Sequence, residues 1–64
     1  MMDGDYVLAM NVTVGKRSYE VYWSGTTIVL DESSAMKFFT RRMADRVASG
    51  LANKKHLLFY AKEI

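Results

Sequence analysis

Cysteine and proline are absent from the 64 residues, and there is a single histidine, His56. Without cysteine no disulfide framework can form. With one histidine a zinc site would have to be built mainly from carboxylates, so no metal centre is expected. No stretch approaches the roughly 20 apolar residues of a membrane span. The opening Met1-Met2-Asp3-Gly4-Asp5 lacks the basic start and apolar run of a secretory signal. These absences predict a cytoplasmic chain with no membrane contact. A glycine-rich phosphate loop is missing as well. His56 is the only candidate general base, and it sits beside Lys54 and Lys55 with nothing near it in sequence to complete a nucleophilic pair. A solvated or helix-capping histidine is the expectation, with no enzyme activity, no cofactor and no small-molecule substrate.

What is present reads as an ordinary globular composition: 50% of residues are apolar and 25% charged. A chain this short makes a single domain, 1–64, and buries only roughly 60% of the surface its unfolded form exposes. The net charge of +2 is too small to mark a nucleic-acid binder by itself, although the pI of about 9.1 leaves that class open.

Apolar residues fall at Tyr6, Leu8, Met10, Val12 and Val14, a period of two that predicts a half-buried strand. Gly15-Lys16 suits a two-residue type II′ turn, which pairs Val14 with Arg17, Val12 with Tyr19, Met10 with Val21 and Leu8 with Trp23. The same register sets Thr13 opposite Ser18, Asn11 opposite Glu20 and Ala9 opposite Tyr22, so the two faces separate. A second tight turn at Ser24-Gly25 predicts a third strand over residues 26–30, with Val21 opposite Ile28 and Tyr19 opposite Leu30.

Asp31-Glu32-Ser33-Ser34 is a capping cluster, and residues 35–39 are expected to form a short helical turn. From Thr40 the spacing of Met43, Val47 and Leu51, with Ala44 and Ala48 beside them, gives one apolar stripe, opposite Arg42, Asp45, Arg46, Ser49 and Asn53. Lys54 and Lys55 complement a helix C-terminus, and residues 56–62 read as a last strand. The expected fold is α+β: a four-stranded, mostly antiparallel sheet in the order βββαβ, with one amphipathic helix packed on one face. Its expected core is Leu8, Met10, Val12, Tyr19, Val21, Trp23, Ile28, Leu30, Met43, Val47 and Leu51.

The stretch Ala35, Phe38, Thr40, Ala44, Ala48, Leu51 resembles a pattern, A-x-x-F-x-T-x-x-x-A-x-x-x-A-x-x-L, of small uncharacterised phage and prophage proteins. A second resemblance, through Tyr19 to Trp23, Phe38, Thr40 and Ala44, is to the three-stranded DNA-binding domains at the N-terminus of phage-type integrases. That family's sheet enters the major groove. Here the corresponding strands carry few basic residues, and a further strand follows the helix. The first resemblance implies a phage or prophage origin and the second contact with DNA; the expectation of a phage-type accessory or inhibitor protein comes from the Tyr22, Val29, Tyr60 sector of the sheet.

Two surfaces are candidates for function. Away from the helix the sheet presents Val7, Ala9, Tyr22 and Val29, to which the last strand adds Leu58 and Tyr60. Together they make an apolar and aromatic patch suited to a protein partner or a second copy in a homodimer. The alternative for that strand turns Leu57, Phe59 and Ala61 outward. The other candidate is basic: Arg41, Arg42 and Arg46 with Lys54 and Lys55, a nucleic-acid surface acting through phosphate contacts. If the helix starts at Thr40, two arginines oppose its macrodipole beside free N–H groups. If it starts at Ser33 or Ser34 they lie mid-helix without strain.

Overall fold

In the computed structural model, which describes residues 4–64, the alternating stretch is strand β1 (Tyr6–Val14), paired antiparallel with β2 (Arg17–Trp23). Val14 stands opposite Arg17, Val12 opposite Tyr19, and Ala9 opposite Tyr22, the register that a two-residue turn imposes. Gly15 takes a φ of +63°, which glycine adopts without a Cβ penalty, while Lys16 keeps a negative φ.

The next turn is longer than the sequence suggests. Ser24 Oγ accepts from the Thr27 N–H at 3.1 Å and donates to the Thr27 carbonyl at 2.9 Å, so residues 24–27 fold into one side-chain-laced loop. Strand β3 is therefore only Ile28–Val29, with Trp23 opposite Ile28 and Tyr22 opposite Val29. The expected pairings of Val21 with Ile28 and Tyr19 with Leu30 are displaced by two residues. An even shift leaves each side chain on its expected face.

After a 3-10 turn at Glu32–Ser34 the chain runs extended instead of forming the short helical turn expected for residues 35–39. The Met36 N–H donates to the Trp23 carbonyl at 2.9 Å and the Phe38 N–H to the Tyr6 carbonyl at 2.8 Å. Phe38 thus takes the place beside β1 that β2 vacates when it ends at Trp23. Its carbonyl accepts from the Asp5 and Tyr6 N–H groups at 3.0 and 3.1 Å. The buried Gly4 lies so close to this backbone that an added Cβ would stand 2.4 Å from the Phe38 oxygen.

Helix α1 (Arg41–Lys55) starts at Thr40, whose Oγ1 accepts from the Met43 N–H at 3.2 Å. It ends at His56, held in the left-handed region at φ 58° and ψ 31°, with the Leu57 N–H donating back to the Leu51 carbonyl at 3.3 Å. That cap delays the last strand: β4 is Tyr60–Glu63, not 56–62, and it pairs antiparallel with β1 through Leu8 opposite Ala61 and Ala9 opposite Tyr60. The strand order is β3-β2-β1-β4, giving an α+β fold with four antiparallel strands and one helix.

Two apolar clusters sit on the two sides of this sheet. Toward the helix are Leu8, Trp23, Phe38, Ala44, Leu51 and Phe59, with the Trp23 and Phe59 rings tilted at 57° and 6.0 Å apart. On the other side are Val7, Ala9, Tyr22 and Ala35. Of the expected core, Tyr19, Ile28, Leu30 and Met43 are exposed instead. Alternation sorts strand residues between faces but does not say how far the covering layer reaches. The helix covers the Leu8 end of β1, leaving Val14 and Tyr19 near the hairpin tip uncovered. Among the described residues no helix is long and apolar enough to cross a membrane.

Candidate protein-binding groove

The apolar face expected to be open is in fact partly closed. Val7, Ala9 and Tyr22 are buried, with Val29 packed half-buried against them, because Ala35 folds over this side as the chain leaves the 3-10 turn. Leu58 is 74% exposed, but it belongs to the connection between α1 and β4. Tyr60 does share the face of Ala9, as its pairing requires, and there its hydroxyl is engaged. The six residues do not make one free patch.

What occupies the rest of that face is a polar cluster centred on Glu20. Its carboxylate accepts from the Tyr22 hydroxyl at 2.8 Å, the Tyr60 hydroxyl at 2.8 Å and Lys62 Nζ at 2.6 Å. Lys62 Nζ also stands 5.8 Å from the centre of the Tyr22 ring. The hydrogen bonds from Lys62, Tyr22 and Tyr60 hold the Glu20 carboxyl at a pKa of about 2, against an ordinary 4.5. The same bonds push both tyrosines and Lys62 above their ordinary values. Since β1 lies between β2 and β4, this cluster ties two strands that never touch through their backbones. Every charge in it has a partner, so it reads as a brace.

The open apolar surface lies elsewhere, between the extended 36–39 segment and α1. Met36, Phe38, Phe39, Met43 and Val47 line a groove of about 360 Å³, with Lys37 and Arg46 at its rim. Phe38 forms its floor from within the core. Phe39 is 65% exposed and Met43 49%. In extended backbone consecutive side chains point to opposite sides, so burying Phe38 turns Phe39 outward. Met43 faces the groove because the helix seats itself on Ala44, whose small side chain permits close approach to the sheet.

At about 100° per residue, Met43, Arg46, Val47 and Gly50 share the groove side of α1, with Arg42 one turn before Arg46. Arg41 and Asp45 fall on the opposite flank. Lys54 and Lys55 lie in the last turn, as a helix C-terminus favours. The basic residues therefore encircle the helix and do not gather on one face. No acidic residue occurs in the first turn, so Arg41 and Arg42 stand against the macrodipole. The Lys62–Glu20 pair is the sole ion pair among the described residues, which leaves Arg42 and Arg46 without a carboxylate partner. Lys37 Nζ is committed to the Glu32 and Ala35 carbonyls at 3.0 and 2.9 Å. His56 is an exposed helix cap.

A short helical turn over residues 35–39 does not mark Met36 and Phe39 as surface residues. The adjacent Phe38-Phe39 pair was the available signal, because no single face buries both in extended chain. Comparison with protein-family models, curated proteins and solved structures returns no match for this chain.

Proposed function

We propose that this chain is a small non-catalytic protein-binding module, and that its contact surface is the groove between the 36–39 segment and α1. The observation that carries the reading is the exposure of Phe39, Met36 and Met43 around one concavity whose rim holds Arg46, unpaired among the described residues. Aromatic residues, methionine and arginine are the types enriched in the buried centre of protein interfaces. Methionine adapts its shape to an incoming side chain at little cost. An apolar side chain entering the groove releases water from both surfaces, while Arg46 and Arg42 select a carboxylate-bearing segment and speed its approach. The partner surface is therefore an apolar anchor carried on an acidic stretch. A phage-type accessory or inhibitor role would be exercised through this same surface.

The test is a methyl spectrum of the protein carrying labelled methionine, titrated with a short peptide in which one leucine is set among glutamates. The Met36 and Met43 signals shift and Met10, on the sheet, does not. A basic peptide of the same design leaves all of them in place. Equal response to both peptides, or none, removes the groove reading. A larger response to duplex DNA, falling steeply with salt, would transfer the assignment to phosphate binding.

A further inference from the structure

The chain carries not only the groove but also a feature that matches it. Leu30 is 75% exposed and is followed directly by Asp31 and Glu32, both exposed. Neither carboxylate has a cation partner among the described residues, and Asp31 receives only the Ser33 hydroxyl at 3.5 Å. This apolar and acidic knob is held in shape. The Ser34 and Ala35 N–H groups donate to the Asp31 and Glu32 carbonyls at 3.1 and 3.0 Å, and Lys37 Nζ adds a third bond at 3.0 Å. Leu30 is exposed and is not among the residues that line the groove, so one chain's knob does not fill its own groove.

We infer that the groove's partner is a second copy of this chain: Leu30 of each protomer seats in the other's groove, with Asp31 and Glu32 set against Arg46 and Arg42. The inference rests on the groove reading and names its occupant. A two-fold axis makes the contact reciprocal, so both grooves are filled at once and the assembly closes as a dimer. Charge complementarity favours the pairing, since among the described residues Arg42 and Arg46 have no carboxylate partner and the Asp31 and Glu32 carboxylates form no ion pair, Lys37 being bound at the Glu32 backbone carbonyl. A small domain with no disulfide is also the kind that gains most from association. Because the knob is already ordered, little conformational freedom is lost when it docks.

The experiment is sedimentation equilibrium on the full chain and two exposed charge reversals, Arg46→Glu and Asp31→Arg, with circular dichroism confirming that each variant is folded. Wild type sediments at twice the 7.3 kDa chain mass. Each variant alone associates about tenfold or more weakly, because both of its contacts now join like charges. Their equimolar mixture forms a dimer again, since in the mixed pair each contact unites an acid with a base. Wild type at the chain mass, a mass beyond the dimer, or a mixture no different from the separate variants would overturn the inference. Should wild type be monomeric while the acidic peptide still moves the Met36 and Met43 methyls, the self-pairing fails and the groove reading survives.

Discussion

Gly4→Ala tests the account of how the chain closes around Phe38. A Cβ at Gly4 would lie 2.4 Å from the Phe38 oxygen, 2.6 Å from its carbonyl carbon and 2.9 Å from its nitrogen. Every obstructing atom is backbone, and that backbone is fixed by three hydrogen bonds to residues 5 and 6 and by the burial of the Phe38 ring. The clash can be relieved by moving Phe38, which disturbs the core, or by lifting residues 4 and 5 away. The second route breaks the Asp5 N–H bond to Phe38 and the bond that Ile64 N–H donates to the Asp5 carbonyl at 2.8 Å. Overpacking of this kind costs about 1–3 kcal/mol. A domain of this length has a total stability of roughly 3–10 kcal/mol, so the loss is large. Gly50→Ala is the internal control. Gly50 lies within α1, and a Cβ there meets nothing within 4 Å. Relief of the helix penalty should raise stability by about 0.5–1 kcal/mol. Urea unfolding followed by circular dichroism measures both variants. Gly4→Ala as stable as wild type would refute the close approach at Phe38, and a destabilised Gly50→Ala would refute the open space beside the helix.

Two further outcomes follow from the caps and the charge cluster. Thr40→Ala leaves the Met43 N–H without its acceptor and should cost about 1 kcal/mol, seen as a fall of about 4–8 °C in thermal midpoint; Thr40→Ser should retain most of the stability. Glu20, whose pKa drops from 4.5 to about 2 on folding, contributes stability that is complete above its unfolded value and is lost as pH falls through the folded one. Tyr22, Tyr60 and Lys62, raised on folding, contribute stability that is complete below their ordinary values of 10.0, 10.0 and 10.5 and is lost above them. Unfolding curves across pH should therefore steepen at both ends, and Glu20→Gln should flatten both limbs; an unaltered acid limb would show that the cluster does not brace the sheet.

Local chemistry determined what could be read from the residues. The first hairpin was legible because Gly15-Lys16 and two alternating strands all demand one register. The helix was legible because Thr40 caps it and the apolar stripe repeats. Beyond these, the outcome turned on interactions between residues distant in sequence. The loop at 24–27 depended on a serine side chain outcompeting a tighter turn. The stripe containing Met43 located the helix face to within one position, but the smaller Ala44 sets the closest approach, leaving Met43 at the groove. Glu20 meets Lys62 only because β4 joins beside β1, an edge choice that the pattern within β4 does not encode. The candidate surface moved for the same reason: Val7, Ala9 and Tyr22 were placed on the correct face of the sheet, and Ala35, arriving from the following turn, covers them.

Solvent access to the methionine methyls, read by adding a soluble paramagnetic agent at several protein concentrations with and without the acidic leucine peptide, tests the groove as an interaction surface most directly. The Met36 and Met43 methyls are expected to be shielded when the protein is concentrated or when the peptide is added, and accessible in dilute protein alone, while Met10 keeps one value throughout. Met36 and Met43 equally open at every concentration and with the peptide present would contradict the groove as a contact surface.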